Sequence, residues 1–303
     1  MVSGISSRRD MITRTKTGDS IFQYDISLRK YTSFKTGGIA EIFVEPKSVS
    51  ELREVLRFCM REQKKIFVLG NGTNILIQDD GVKGVVISMG GACFKEIKRY
   101  GMYVSSGAGV SLVELMRRVA TWGLGGLSSL AGIPGSVGGA VMMNAGGKYG
   151  SISETIHSVT TVSFHGEIKK FSRKEIDFPY RGCSLREEIV LEVELLLRES
   201  HKERTFKEMN TIYREKREKQ PFGTLNAGCI FKNPQGFKAA ELIDKAGLKG
   251  VKVGGAIVSE KHANFIINSE GATSNDILDL IKMIQNSVLE KYNVMLETEL
   301  HFW

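Results

Sequence analysis

Apolar positions change period several times along the chain, and each change marks a new element. Leu52, Val55, Leu56 and Cys59 recur at helical spacing behind Ser48, whose hydroxyl can cap the helix while Glu51 closes a capping box. Ile66 to Leu69 is a short apolar run ending in Gly70-Asn71-Gly72, and Val85 to Ile87 is another after the turn at Gly81, so both read as strands. Ser111 with Glu114 makes a second capping box, followed at helical spacing by Leu112, Leu115, Met116 and Val119 until Gly123 ends the element. This opening unit reads as α/β. Val159 to Phe164 and Glu167 to Phe171 flank His165-Gly166 like a hairpin, and Ile189 to Leu197 alternates as a further strand, so the middle is mixed α+β.

After Arg198 the composition turns polar, and Phe206 to Lys219 reads as a basic helix with Met209, Ile212 and Tyr213 on one face. A domain boundary is therefore expected near residue 200. Beyond it, Ala263 to Ile267 reads as a strand, and a long helix from Ser274 buries Ile277, Leu280, Ile281, Ile284 and Val288. Leu296 to Phe302 alternates as a terminal strand. Residues 1–20 are rich in Ser, Arg, Thr and Lys without periodicity, which reads as a flexible tail.

At 303 residues the chain is too long for one core of ordinary size, and 42% hydrophobic with 25% charged residues excludes disorder and fibrous classes. A net charge of +8 favours an anionic partner. The basic clusters at Arg8-Arg9, Lys169-Lys170 and Arg214 to Lys219 are scattered and lack aromatic interleaving, so a phosphorylated small molecule is favoured over nucleic acid. The four cysteines form no C-x-x-C pair and the five histidines never approach a metal-ligand spacing, so no metal site is expected. No apolar stretch has the length of a signal-peptide core or a membrane span, and the expectation is a cytoplasmic protein with reduced thiols and no membrane partner.

Two glycine segments carry the chemistry. Leu69-Gly70-Asn71-Gly72-Thr73-Asn74 follows an apolar strand, where backbone N–H groups can approach a phosphate. Alone it is equally an ordinary turn, being neither a P-loop nor a clean G-x-G-x-x-G fingerprint. The second runs from Ala131 through Gly132-Ile133-Pro134-Gly135-Ser136-Val137-Gly138-Gly139 to Asn144 and Gly146-Gly147, a density of glycine whose entropic cost an ordinary structural loop seldom needs. Together they suggest a dinucleotide held mainly by backbone amides.

The order and spacing of Thr32-Ser33-Phe34-Lys35-Thr36-Gly37-Gly38, Gly70 to Asn74, Gly132 to Gly139 with Asn144, Tyr180-Arg181, Ala227-Gly228-Cys229-Ile230-Phe231-Lys232-Asn233-Pro234 and Leu296-Glu297-Thr298-Glu299 resemble those of UDP-N-acetylenolpyruvoylglucosamine reductases, from about Tyr31 to the C-terminus. The resemblance implies an α+β protein: a two-lobed FAD-binding region of the vanillyl-alcohol-oxidase (PCMH) type over residues 21–200, its lobes divided near residue 90, and a substrate-binding α+β domain over 201–303. It implies FAD as cofactor, NADPH as co-substrate and the enolpyruvyl UDP-sugar as substrate; a monomer is the expected state. The short interval between Pro234 and Gly247 resembles the family's shorter, second type. No histidine stands in the glycine segments for attachment, so FAD is expected to be noncovalent.

Carried over position by position, the resemblance assigns Lys35, Gly70, Asn71, Gly72, Thr73, Asn74, Ile133, Pro134, Gly135, Ser136, Gly138, Gly139 and Asn144 to the cofactor, Tyr180, Lys219 and Asn233 to the substrate, and Arg181, Cys229 and Glu299 to catalysis. Each has a plainer reading. Arg181 could be a solvated loop charge, Glu299 an exposed strand residue, Lys219 a lysine favoured by a helix C-terminus, Asn233 a turn stabiliser and Cys229 a small buried thiol. Glu297 and Glu299 share a strand face, so spacing cannot choose between them and only the family pattern selects the second. Cys229 stands where the family usually has serine, the presumed proton donor, and Cys183 replaces another frequent serine with an effect expected on packing. An unperturbed cysteine near pH ~8.5 would be lost as thiolate in alkali. His262 reads as structural. The rival readings are an FAD-dependent sugar or alcohol oxidase on the same flavin fold and a catalytically silent nucleotide-sugar binding protein.

Overall fold

The apolar runs of the first ninety residues become a four-stranded sheet in the computed structural model, which describes residues 21–303. The tail read over residues 1–20 lies outside the described residues. The elements are β1 (Phe22–Ser27), β2 (Ile39–Val44), α1 (Val49–Arg61), β3 (Ile66–Leu69), the short β4 (Ile75–Leu76) and β5 (Val82–Ser88). The sheet order is β1-β2-β5-β3, with β2, β5 and β3 parallel and β1 antiparallel at the edge. Ser48 caps α1 by accepting from the Glu51 N–H at 3.1 Å, and the Glu51 carboxylate accepts from the Lys47 N–H at 2.7 Å, so the helix starts where the capping residues stand. Ile42, Val44, Val85 and Ile87 face a core with Leu52, Val55, Leu56 and Cys59 of α1, while Phe43 and Val86 face a smaller core on the other side. A parallel sheet covered on both faces needs this unbroken hydrophobicity.

The second lobe comprises β6 (Ile97–Tyr100), β7 (Tyr103–Gly107), α2 (Leu112–Thr121), β8 (Leu124–Gly125), α3 (Val137–Met142), the hairpin β9 (Gly146–Gly147) and β10 (Gly150–Ser151), then β11 (Ile156–Ser163), β12 (Ile168–Ser172), β13 (Glu188–Leu196) and β14 (Arg198–Glu199). Its main sheet is antiparallel, in the order β12-β11-β13-β7-β6. The hairpin read around His165-Gly166 is β11–β12, closed by Gly166 at φ +84°. Both lobes share one large core, in which Cys183 is buried, so this cysteine is a packing residue.

The remainder is α4 (Lys202–Lys219), α5 (Ala239–Lys245), the small sheet β15 (Lys252–Val253), β16 (Ala256–Val258) and β17 (Ile266–Asn268), α6 (Ser274–Tyr292) and β18 (His301–Phe302). The polarity change near residue 200 coincides with the start of α4, yet Ile212 of that helix is buried in the first core. Thr205 Oγ1 also donates to Leu124 O at 3.2 Å. A separate core, from Ala227 to Leu300, gathers α5, β16, β17 and α6, and takes in Phe34 and Leu76 from the first region. The cores thus divide after α4. The alternating terminal segment is regular strand only at His301–Phe302, where β18 pairs in parallel with β4.

Asn264, 3% exposed, holds this second core to the loop after Ala227: its side chain accepts from Phe231 N at 2.9 Å and donates to Phe231 O at 2.8 Å. Asn264→Ala would strand both buried groups and is expected to cost about 2–4 kcal/mol, read as a lower urea midpoint with an unchanged m-value.

Candidate active site

A cavity of about 970 Å³ lies between the lobes, α4 and the C-terminal region. Both glycine segments line it, and they touch each other. A Cβ at Gly70 would fall 2.4 Å from Ser136 Oγ, and Thr73 Oγ1 donates to Pro134 O at 3.4 Å. At Gly132, φ is +77° and a Cβ would press on Lys216 Cδ at 3.2 Å and the Phe222 ring at 3.3 Å. Glycine is needed here because backbone must pack directly against backbone or side chain. Among the described residues, the N–H groups of Asn71, Gly72, Thr73, Asn74, Gly135 and Ser136 donate to no protein acceptor. Six unspent amides on two abutting loops at a cavity wall fit the pyrophosphate of FAD.

Gly70, Asn71, Gly72, Thr73, Asn74, Ile133, Pro134, Gly135, Ser136, Gly138 and Gly139 all line the cavity. Lys35 and Asn144 do not. Lys35, at φ +57°, turns its Nζ to Lys30 O at 2.9 Å. Asn144, at φ +41°, directs its Nδ2 to Phe178 O and Pro179 O at 3.4 Å each, bracing the loop before Arg181. Gly138 works through packing: a Cβ there would meet Ala108 Cβ at 2.9 Å, which sets how closely α3 approaches the residue after β7.

At one end of the cavity, Arg181 Nε lies 2.8 Å from Glu299 Oε1, with side chains only 19% and 15% exposed. Arg181 Nη1 also donates to Gly146 O at 3.0 Å, and its guanidinium stacks over the Tyr180 ring at 5.1 Å. Tyr180 itself is exposed and does not line the cavity; it supports the arginine. Burial raises the Glu299 carboxyl above its ordinary range, against the pull of Arg181. The two glutamates differ in burial. Glu297 stays in solvent against Lys232, because residues 296–300 leave regular strand geometry and only Thr298 bridges Phe231.

Cys229 lines the same cavity. Burial, reinforced by the Glu299 charge and opposed by Arg181, pushes its thiol up to about 12. The expectation that alkali would strip it as thiolate is therefore corrected: enclosed beside a carboxylate, the thiol keeps its proton across the ordinary range. Asn233 lines the cavity while its Oδ1 accepts from Ala239 N at 3.0 Å at the start of α5, so the residue that stabilises this turn also faces the cavity. His262 also borders the cavity, and burial lowers its pKa; its Nδ1 accepts from Asn264 N at 3.3 Å and its ring meets Phe265 edge-on.

Among the cavity-lining residues that the sequence did not single out are Lys148, Glu215, Lys216 and His301. Lys216 is one helical turn before Lys219, a spacing that could have flagged it. Its Nζ donates to Ala131 O at 2.7 Å, and burial, then repulsion from Arg181, lowers its pKa from 10.5 to about 8. His301 Nε2 lies 3.0 Å from Met143 Sδ, and burial keeps the ring toward neutrality.

A mixed α+β scaffold whose cavity is walled by free glycine-loop amides, with a buried Arg–Glu pair contributed partly by a C-terminal domain, defines an FAD-binding flavoprotein with a second, appended domain. Residues 40–172 match the family model described as an FAD binding domain, and residues 220–303 match that of the UDP-N-acetylenolpyruvoylglucosamine reductase C-terminal domain. The chain belongs to the UDP-N-acetylenolpyruvoylglucosamine reductase family. It is 40% identical over 277 residues to the reductase of that name from Clostridium novyi, covering 91% of this chain and 90% of the relative. It is 39% identical over 275 residues to the one from Syntrophomonas wolfei, covering 90% of this chain and 91% of the relative. The crystal structure of the Thermus caldophilus reductase superposes with a TM-score of 0.81 at 35% identity, covering 93% of this chain and 99% of that one. Among the described residues no helix is long and apolar enough to cross a membrane.

The lowered pKa of Lys216 carries a sign. Between about 8 and 10.5 the unfolded chain binds the proton that the folded chain has released, so the cost of burying this charge is relieved as pH rises through that window. Lys216→Met is expected to flatten the rise in stability over those values, measured as urea midpoints at successive pH.

Proposed function

We propose that the chain catalyses the NADPH-dependent, FAD-mediated reduction of UDP-N-acetylenolpyruvoylglucosamine to UDP-N-acetylmuramate, a step of peptidoglycan precursor synthesis. The observation that carries this reading is the Arg181–Glu299 pair beside Cys229 at one end of a cavity whose wall is the two glycine segments. FAD, held noncovalently against the amides of Asn71 to Asn74, Gly135 and Ser136, would supply the hydride it receives from NADPH.

Hydride addition at C3 of the enolpyruvyl ether leaves negative charge on C2 and its carboxylate. Arg181 meets that charge with a guanidinium already fixed by Glu299 and Gly146 O, so little reorganisation is needed when the charge appears. The Cys229 thiol then gives its proton to C2, which completes the lactyl ether. Glu299 has two parts: it orients Arg181, and its negative charge favours the protonated thiol. A neutral thiol is what a general acid requires. Lys219 and Asn233 are assigned to the substrate, and the four free cysteines fit a reducing cytoplasm. The enzyme is taken as a monomer, which sedimentation velocity would check.

The decisive experiment follows the two half-reactions separately by rapid mixing. Arg181→Ala is expected to slow reoxidation of the reduced flavin by the enolpyruvyl substrate about 10²- to 10³-fold while NADPH still reduces the flavin; equal loss in both halves would deny Arg181 its role. Cys229→Ala is expected to slow the same half-reaction about 10²- to 10⁴-fold and Cys229→Ser to retain activity. Near-normal reoxidation in Cys229→Ala would remove the thiol from the mechanism. In the wild-type protein, substrate reduction should show no alkaline loss attributable to the thiol up to pH ~10, since its proton is held well above the unperturbed value.

A further inference from the structure

Helix α4 lies along the chain that leads into the second glycine segment, and it holds that chain at successive turns of one face. Thr205 Oγ1 donates to Leu124 O at 3.2 Å, Glu208 Oε2 accepts from Ser128 Oγ at 3.2 Å, Ile212 enters the first core, and Lys216 Nζ donates to Ala131 O at 2.7 Å. Residues 205, 208, 212 and 216 are three or four apart and so share one face of the helix. Their partners advance in the same direction, from Leu124 through Ser128 to Ala131. Lys216 makes the last of these contacts, and of the four residues it alone lines the cavity.

Ala131, 3% exposed, is where the supported chain becomes the cofactor loop. Among the described residues no backbone N–H donates to Ala131 O, so Lys216 is the donor that satisfies it. At the next residue, Gly132, an added Cβ would also meet Tyr213 Cδ2 at 3.6 Å, so the Lys216 stem, Tyr213 and Phe222 close together on its backbone. From the other side, Thr73 of the first glycine turn donates to Pro134 O. The span from Ala131 to Pro134 is thus held at both ends, and the free amides of Gly135 and Ser136 follow directly after it. Among the described residues no carboxylate pairs with Lys216: Glu215 beside it pairs with Lys148 and Lys219, and Glu299 pairs with Arg181, whose charge opposes that of Lys216. What fixes this half-buried lysine is its hydrogen bond, which an amine donates as well as an ammonium does.

Resting on the FAD reading of the two glycine segments, we propose that Lys216 is a positioning residue for the cofactor: its hydrogen bond to Ala131 O sets the entry of the second glycine segment and so fixes the Gly135 and Ser136 amides that the pyrophosphate would meet. The helix whose last turn carries Lys219 is thereby tied to the loop that holds FAD.

Release of FAD from the loaded protein, followed as the rise in flavin fluorescence on dilution, tests this without turnover. Lys216→Met keeps an apolar stem against Gly132 and loses the donor; it is expected to release FAD about ten- to fiftyfold faster. Thr205→Val removes the bond to Leu124 O at the far end of the same face; it is expected to lower the urea midpoint while leaving release within about twofold of wild type. In the wild-type protein, where no variant can fail to fold, release is expected to stay level from pH ~7 to ~9.5, because the amine formed above about 8 still donates to Ala131 O. Unchanged release in Lys216→Met, or equal acceleration in Thr205→Val, would reduce Lys216 to a structural contact and overturn the proposal. Wild-type release that accelerates by as much as about tenfold per pH unit above about 8 would overturn it in favour of a direct charge on the cofactor. Wild-type protein that takes up no FAD would instead overturn the FAD reading beneath it.

Discussion

The site depends on the return of the last eight residues to the first lobe. Glu299 N donates to Ile230 O at 2.7 Å, Lys232 N to Glu297 O at 2.8 Å, His301 N to Asn74 O at 3.1 Å and Trp303 N to Leu76 O at 3.0 Å. Asn74 Nδ2 adds a bond to Glu299 O at 3.1 Å. This ladder ties three distant segments together: the first glycine turn, the loop with Cys229 and the terminal segment with Glu299. Each backbone bond is modest by itself, but together they position a carboxylate and a thiol against an arginine from the second lobe. The apolar contacts of Phe34 and Leu76 with the C-terminal core hold the same joint from behind.

Within the cavity the arrangement of charge follows from burial. An arginine and a glutamate that are each mostly withdrawn from water must neutralise one another, and the geometry at Arg181 and Glu299 does this while leaving the guanidinium further donors. The same low-dielectric setting keeps the Cys229 proton in place and eases the proton off Lys216. Cys229 thus stays a thiol because burial disfavours the thiolate and the Glu299 charge adds to it against the pull of Arg181. Further out, solvent screens the pairs of Lys148 and Lys219 with Glu215, and interactions there are exchangeable where those inside are fixed.

The elements themselves were legible. Capping residues at Ser48 and Ser111, the helical stripes of α1, α2 and α6, the hairpin at His165-Gly166 and the apolar strands of the first sheet are local properties, and the structure forms them where the periodicity put them. The glycine segments were legible too, because glycine density reports a backbone constraint that no packing partner can disguise. Tertiary structure alone decided which side chains face the cavity. Lys35 and Asn144 stand in the quoted motifs but spend their side-chain nitrogens on carbonyls outside the cavity. Lys148, Glu215 and His301 carry no local signature, because a charged residue on a helix or hairpin looks the same whether solvent or a cavity lies opposite, and for Lys216 the helical spacing to Lys219 is the one local hint. Glu297 and Glu299 differ by two positions, and only the pairing of the chain terminus with a loop seventy residues earlier buries one and exposes the other. Hydrophobic period and glycine are written locally; burial, and with it every shifted pKa in this site, is a property of segments brought together from across the chain.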